Sequence, residues 1–214
     1  MFMQDMSACF HDETRAVPVA ADPLRQFLSL RQTGLLAATL IETEAGWRLA
    51  GHLQAGDRLP TFDGGSCTIT GVARRTLVPG QGAGVIQIPG GALGNCADLY
   101  LMPDQELLIT HPVVEEVLDC CGALVRARDL VGHRAIARLP VSQPLQMITL
   151  TLARQELVFA NSGVRILLDA GSGRDDGFYP RVTAQQAEAM LTLIELGAWN
   201  SAHLVTPSAP SVAV

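Results

Sequence analysis

Cysteines and histidines are the residues of this 214-residue chain with the most chemistry in them, and their spacing is the first thing to read. Cys9, Cys67, Cys96 and the adjacent Cys120-Cys121 make an odd set without a Cys-x-x-Cys pair, and His11, His52, His111, His133 and His203 stand singly. A zinc site draws its ligands from two pairs at short loop spacing, so this pattern predicts no metal site and no cofactor. Vicinal thiols can close into a strained disulfide. Beside Val117, Leu118 and Leu124, however, Cys120 and Cys121 read as two small, partly buried residues at a strand end.

Charge narrows the field further. The net charge is -6 and the one tight basic group is Arg74-Arg75, whereas neutralising several phosphates takes a broad lysine and arginine surface. Nucleic-acid binding is therefore not expected, and the two arginines read as a solvated strand end. No apolar run reaches the roughly 18 residues of a membrane-spanning helix. Residues Met1 to Phe10 also lack the basic start and apolar block of a secretory signal, and the chain reads as a soluble cytoplasmic protein.

The elements that must position these side chains are mostly strands. Short β-branched runs divided by glycine and proline turns recur at Thr68 to Val72, Val85 to Ile88, Leu107 to Thr110, Val113 to Leu118, Ile148 to Leu152, Leu157 to Ala160 and Val164 to Leu168. That punctuation predicts an all-β domain. Ahead of it, Pro23 to Arg31 has the spacing of a short helix with proline in its first turn. Behind it, Thr183-Ala184-Gln185-Gln186 is a capping box, Ala187, Met190, Leu191 and Ile194 follow helical spacing, and Gly197 is placed to end that helix. The expected organisation is an N-terminal arm and short helix over 1–33, a β domain over 34–168, a linker and amphipathic helix over 169–205, and a disordered tail over 206–214.

One internal echo suggests two related halves. Ala50-Gly51-His52-Leu53-Gln54-Ala55-Gly56-Asp57-Arg58-Leu59 is repeated 77 residues later as Ala127-Arg128-Asp129-Leu130-Val131-Gly132-His133-Arg134-Ala135, with one residue deleted. Both copies read Ala-x-x-Leu, a short gap, glycine, a polar residue, arginine and an apolar residue, as a pseudo-symmetric β fold would require.

Three segments, in order, carry a family resemblance. The first is Gly34-Leu35-Leu36-Ala37-Ala38-Thr39-Leu40-Ile41-Glu42-Thr43 with Gly46-Trp47-Arg48 and Leu53-Gln54-Ala55-Gly56-Asp57-Arg58-Leu59. The second is Met102-Pro103-Asp104-Gln105-Glu106-Leu107-Leu108-Ile109, and the third is Leu152-Ala153-Arg154-Gln155-Glu156-Leu157-Val158-Phe159-Ala160-Asn161-Ser162-Gly163. Together they resemble the Hint domain, the fold shared by inteins and the hedgehog autoprocessing module, in its bacterial stand-alone form. The resemblance covers residues 34 to 168 and implies a pseudo-symmetric all-β fold of two related halves whose family activity is self-cleavage or protein splicing.

At the positions where that family keeps its reactive groups, this chain has others. Gly34 stands in place of the cysteine nucleophile. Met102 and Gln105 stand in place of the hydroxyl and histidine of the second segment, while Ala153 and Gln155 stand at the ionisable positions of the third. Leu167-Leu168 occupies the place of the terminal His-Asn of splicing inteins. A glycine has no attacking atom, and a carboxamide cannot take up or release a proton near neutral pH. Thr33 carries a hydroxyl one residue early, which displaces it by about 3.5 Å from an attack geometry. Cys9-Phe10-His11 copies the cysteine-aromatic start, but nothing after it continues the pattern.

The resemblance with these replacements implies a catalytically inactive domain that works by contact with a protein partner or by self-association. The contact would run through the arm, the C-terminal helix or a former active-site groove lined by Gly34, Met102, Gln105 and Asn161. In the third segment, Asn161 and Gly163 are expected to form a left-handed turn. The alternatives are a self-processing domain with a non-standard nucleophile and a structural subunit of a larger assembly.

Overall fold

A computed structural model describes residues 32–80, 84–170 and 177–203. The chain divides into two units, residues 1–31 and 32–214. The expected helix over Pro23–Arg31, residues Cys9 and His11, and the expected tail over 206–214 lie outside the described residues.

Two antiparallel sheets make up the second unit. One has seven strands in the order β10 (Ala137–Pro140), β6 (Gly84–Ile88), β7 (Leu99–Leu101), β1 (Leu35–Leu36), β11 (Leu145–Leu152), β5 (Ser66–Leu77) and β4 (Arg58–Pro60). The other has six, in the order β3 (Gly46–Leu49), β2 (Leu40–Thr43), β12 (Glu156–Ala160), β13 (Val164–Leu168), β8 (Glu106–Ile109) and β9 (Ala123–Arg126). Leu35, Ile86 and Ile148 from the first sheet and Ile41, Val158 and Ile166 from the second are fully buried in one shared cluster. Burial alternates along β2, as a period of two produces when one face meets a core, whereas β6, β8, β9, β12 and β13 are buried along most of their length.

The internal echo has a structural counterpart. The six-stranded sheet reads alike from either edge: an outer strand (β3 or β9), its neighbour (β2 or β8), then one strand of the central hairpin β12–β13. Each outer strand runs into a 3-10 turn, η1 (Ala50–His52) or η2 (Ala127–Leu130). Ala50 and Leu53 in one copy and Ala127 and Leu130 in the other are fully buried. The glycines that follow, Gly56 and Gly132, have φ of 97° and 96°, a region open to glycine without steric cost. The repeated letters thus encode a buried alanine and leucine and a left-handed glycine in each half.

Two expectations need correcting. Val113 to Leu118 is not a strand; Pro112–Leu118 forms a helix, α1. Pro112 occupies its first turn, the His111 side chain caps it by accepting from Val113 N at 3.2 Å, and Asp119 closes it at φ 50°. Proline at a helix start and a capping side chain outweigh the β preference of three valines. The second correction concerns Gly197, which does not end its helix: α2 runs from Ala184 to His203. The helix continues through Gly197, because an interior glycine costs helix stability only about 1 kcal/mol against alanine. The start of α2 is as expected, with Thr183 N donating to Gln186 Oε1 at 2.9 Å and Gln186 N donating to Thr183 Oγ1 at 3.3 Å. Ala187, Met190, Leu191 and Ile194 join the shared core.

The cysteine and arginine pairs also differ in detail from expectation. Cys120 is half-buried and Cys121 exposed, and they sit in the loop ahead of β9, both as free thiols. Arg74 and Arg75 are exposed but lie within β5, paired across to Ile148 and Met147. Arg74 donates to the carbonyls of Gly51 and Leu53.

Candidate functional site

The 33–34 peptide, singled out by the sequence, is held at both its oxygen and its nitrogen, and the carbonyl that follows it is held as well. Thr149 on β11 donates its hydroxyl to Thr33 O at 3.2 Å. Gly34 N donates to Gln105 Oε1 at 3.0 Å. Gly34 O accepts from Met102 N at 2.8 Å. The tight turn from Met102 to Gln105, closed by Gln105 N donating to Met102 O at 3.0 Å, lies alongside residues 32–34. A second tie fixes it there: Gln32 N donates to Asp104 Oδ2 and Asp104 N to Gln32 O, both at 3.0 Å. Arg128 of η2 pairs with the other oxygen of Asp104 at 2.6 Å, so the second half of the fold braces the turn.

Gln105 is the hub of this arrangement. Its carboxamide oxygen takes the Gly34 N–H, and its Nε2 donates to Leu167 O at 2.7 Å and Glu106 O at 3.3 Å. One side chain, 3% exposed, therefore joins the start of the domain to its last strand. It does so without a titrating group, since an amide donates on one side and accepts on the other at any ordinary pH. Leu167 takes part through its backbone carbonyl.

Gly34 is required by geometry as well as devoid of a reactive atom. Its φ is 130°, and a Cβ built there would stand 2.9 Å from Ile148 O and 3.0 Å from Thr149 Oγ1. Any L-residue at 34 must shift the β11 backbone or change its own φ. The spacing could not reveal this, because the obstructing carbonyl belongs to a residue more than a hundred positions away.

The expected groove is corrected in two respects. Met102 and Gln105 are 2% and 3% exposed, so with Gly34 they form an interior junction and not a surface that receives a peptide. Asn161, placed with them by the sequence, works elsewhere. Its Oδ1 accepts from Leu40 N at 3.0 Å, and its Nδ2 donates to Asp98 O at 3.0 Å and Ala97 O at 3.3 Å. It pins the 89–98 loop to β2. In that loop the Gly90 N–H, then Gln87, hold the Asp98 carboxyl below its usual range. The left-handed residues of the β12–β13 turn are Asn161 and Ser162, at φ 44° and 73°. Gly163 serves a different need: a Cβ there would fall 2.0 Å from Gly94 O. Gln155 bonds Asp169 at 3.0 Å and Ala153 is exposed, so neither joins the junction.

Sequence reading missed Thr149, the Asp104–Arg128 pair, and a pair formed by the buried His133 through Nδ1 and the exposed Glu195 through Oε1 at 2.6 Å. None of these had a local signal, since every partner is remote in the chain. Tyr179, tied to Asp63 at 2.6 Å, was also unforeseen; burial, then the hydrogen bond to Asp63, pushes its hydroxyl above its usual range. Among the described residues no three His, Cys, Asp or Glu side chains come together so as to hold a metal ion, and no described helix is long and apolar enough to cross a membrane.

Comparison with known proteins gives one family: the model described as Hint domain matches residues 33–164. No curated protein matches the chain. Among solved structures, the bacterial intein-like domain of Clostridium thermocellum is 15% identical with a TM-score of 0.48, the match covering 64% of this chain and 97% of that one. The gp41-1 intein is 13% identical with a TM-score of 0.41, over 64% of this chain and 98% of that one. A DnaB intein from Synechocystis is 9% identical with a TM-score of 0.39, over 63% and 97%.

Proposed function

On the premise that this chain belongs to the Hint domain family, we propose that it is a catalytically silent member that keeps its 33–34 peptide intact and serves as a protein-interaction module. The observation that carries this reading is Gly34, which has no attacking atom and, at 2.9 Å from its would-be Cβ to Ile148 O, no room for one. Acyl transfer of the family type needs a nucleophile and a proton donor acting as a unit. Here the amide nitrogen instead gives its hydrogen to Gln105, and the carbonyl oxygen is held by Thr149. The Gln105 oxygen can only accept, so it brings no proton to the departing nitrogen.

The contact role rests on what the fold leaves outside. Leu193 and Leu196, three apart on α2, are 45% and 55% exposed, and Val131 at the end of η2 is 46% exposed. Apolar side chains left on the outer face of a helix whose inner face is already committed to the core suit a protein partner. We take the domain to be 34–168 with 169–205 as an attached linker and helix.

Intact-mass spectrometry tests the silent reading. After prolonged incubation with dithiothreitol or hydroxylamine a single species of full mass is expected. Loss of residues 1–33 from any fraction of the protein overturns it.

A further inference from the structure

Helix α2 commits one side to the core and leaves the other uncovered. Ala187, Met190, Leu191 and Ile194 join the shared cluster, whereas Leu193 and Leu196 are exposed. Leu196 stands one turn beyond Thr192, and Thr192 borders a groove of about 420 Å³ between α2 and the end of η2. Val131 and His133 form one wall of that groove, and Glu188, Leu191, Thr192 and Glu195 of α2 form the other. Val131 is exposed, so apolar surface continues across the groove from the helix. Continuous apolar surface of this kind marks a contact site.

Charge selects the occupant. Helix α2 carries Glu188 and Glu195 and has no lysine or arginine. The two acids are seven residues apart, close to two helical turns and about 10 Å along the axis. Glu188 takes part in no ion pair among the described residues. Glu195 meets the buried His133 through Oε1 at 2.6 Å, yet half of its side chain stays in solvent. Arg128 borders the groove too, but it is held by Asp104 at 2.6 Å and faces Asp129 at 3.8 Å. It is therefore already compensated and leaves the carboxylates of α2 to an outside cation. A second copy of this chain is a poor match, because a twofold contact pairs a patch with itself and would set these acids against their own counterparts, which like charge opposes.

We propose that the groove and the outward face of α2 receive an amphipathic helix of another protein, with apolar side chains on Leu196 and Val131 and basic side chains two turns apart on Glu188 and Glu195. The inference rests on the contact role proposed above and names the chemistry of its partner. A helix laid in a groove presents residues at i, i+3, i+4 and i+7, so one face of it supplies both the leucines and the seven-residue spacing of the bases. The apolar strip supplies most of the affinity, while the exposed charges act on partner choice and salt dependence.

The probe is a synthetic peptide of about 15 residues, long enough to form a helix, with leucines at helical spacing and lysines at i and i+7. Its binding to the full chain is followed by fluorescence anisotropy. Saturable binding is expected, weakening as salt rises, and about tenfold weaker when glutamate replaces lysine in the peptide. Leu196→Ser and Glu188→Lys, both at exposed positions, are each expected to weaken the lysine peptide about fivefold or more. Equal binding of the lysine and glutamate peptides overturns the proposal; if Leu196→Ser still weakens both, the contact role of α2 stands and only its choice of a basic partner falls. Absence of saturable binding overturns the proposal, as does binding that neither variant changes. A dimer in sedimentation that Leu196→Ser dissolves makes a second copy the occupant and overturns it as well.

Discussion

Residue 34 is constrained both by its missing side chain and by its backbone. Glycine brings no reactive side chain to this position, and the backbone adds a second requirement. With φ at 130° and the Ile148 carbonyl 2.9 Å from a Cβ, a thiol placed there has no room to take up an attack geometry. Gly34→Cys is expected to cost about 1–3 kcal/mol through strain and overpacking and to yield no cleavage. Chemical denaturation and intact mass on the same sample check both parts. A stable, self-cleaving variant would refute the geometric account. Gln105 teaches a related lesson: the sequence gives its inability to act as an acid, whereas its three hydrogen bonds to Gly34, Leu167 and Glu106 come only from the fold.

Elements show where local pattern suffices and where it does not. The strand from Val164 to Leu168 has the bounds expected from its β-branched run, and the capping box at Thr183 and Gln186 forms with both of its hydrogen bonds. Helix α1 was misread because three valines in seven residues dominate any propensity count, while its cap and proline sit at one end. The β12–β13 turn illustrates a contact invisible to local reading. Gly163 faces the backbone of the 89–98 loop, so Gly163→Ala must displace Gly94 and is expected to cost more than about 2 kcal/mol. Gly94→Ala, at φ 79° with nothing within 4 Å, carries only the left-handed penalty of about 1–2 kcal/mol. Urea melts of the two variants check the order, and equal losses would remove the packing argument.

At the scale of the molecule, both sheets and α2 share one core. Ile194, 4% exposed, lies in the same cluster as Leu35 of β1 and Ile166 of β13, although its helix follows the family-matched segment ending at residue 164. Removing its side chain beyond Cβ is therefore a perturbation of the whole unit. Ile194→Ala is expected to lower stability by about 2–4 kcal/mol in a single unfolding transition. A separate early transition for α2 would show instead that the helix is an appendage. The outward Leu193 and Leu196 leave room for a partner without loosening this inner face.

The sequence by itself determined the fold class, the twofold echo and the family resemblance. Those are properties of side-chain type and short-range spacing, which a linear chain displays directly. Only the tertiary structure decided that Gly34 has no space for a side chain and that Asn161 belongs to a different loop from Gln105. Each of these depends on atoms brought together from distant parts of the chain, where backbone carbonyls and remote loops, carrying no signature in composition or period, set the distances.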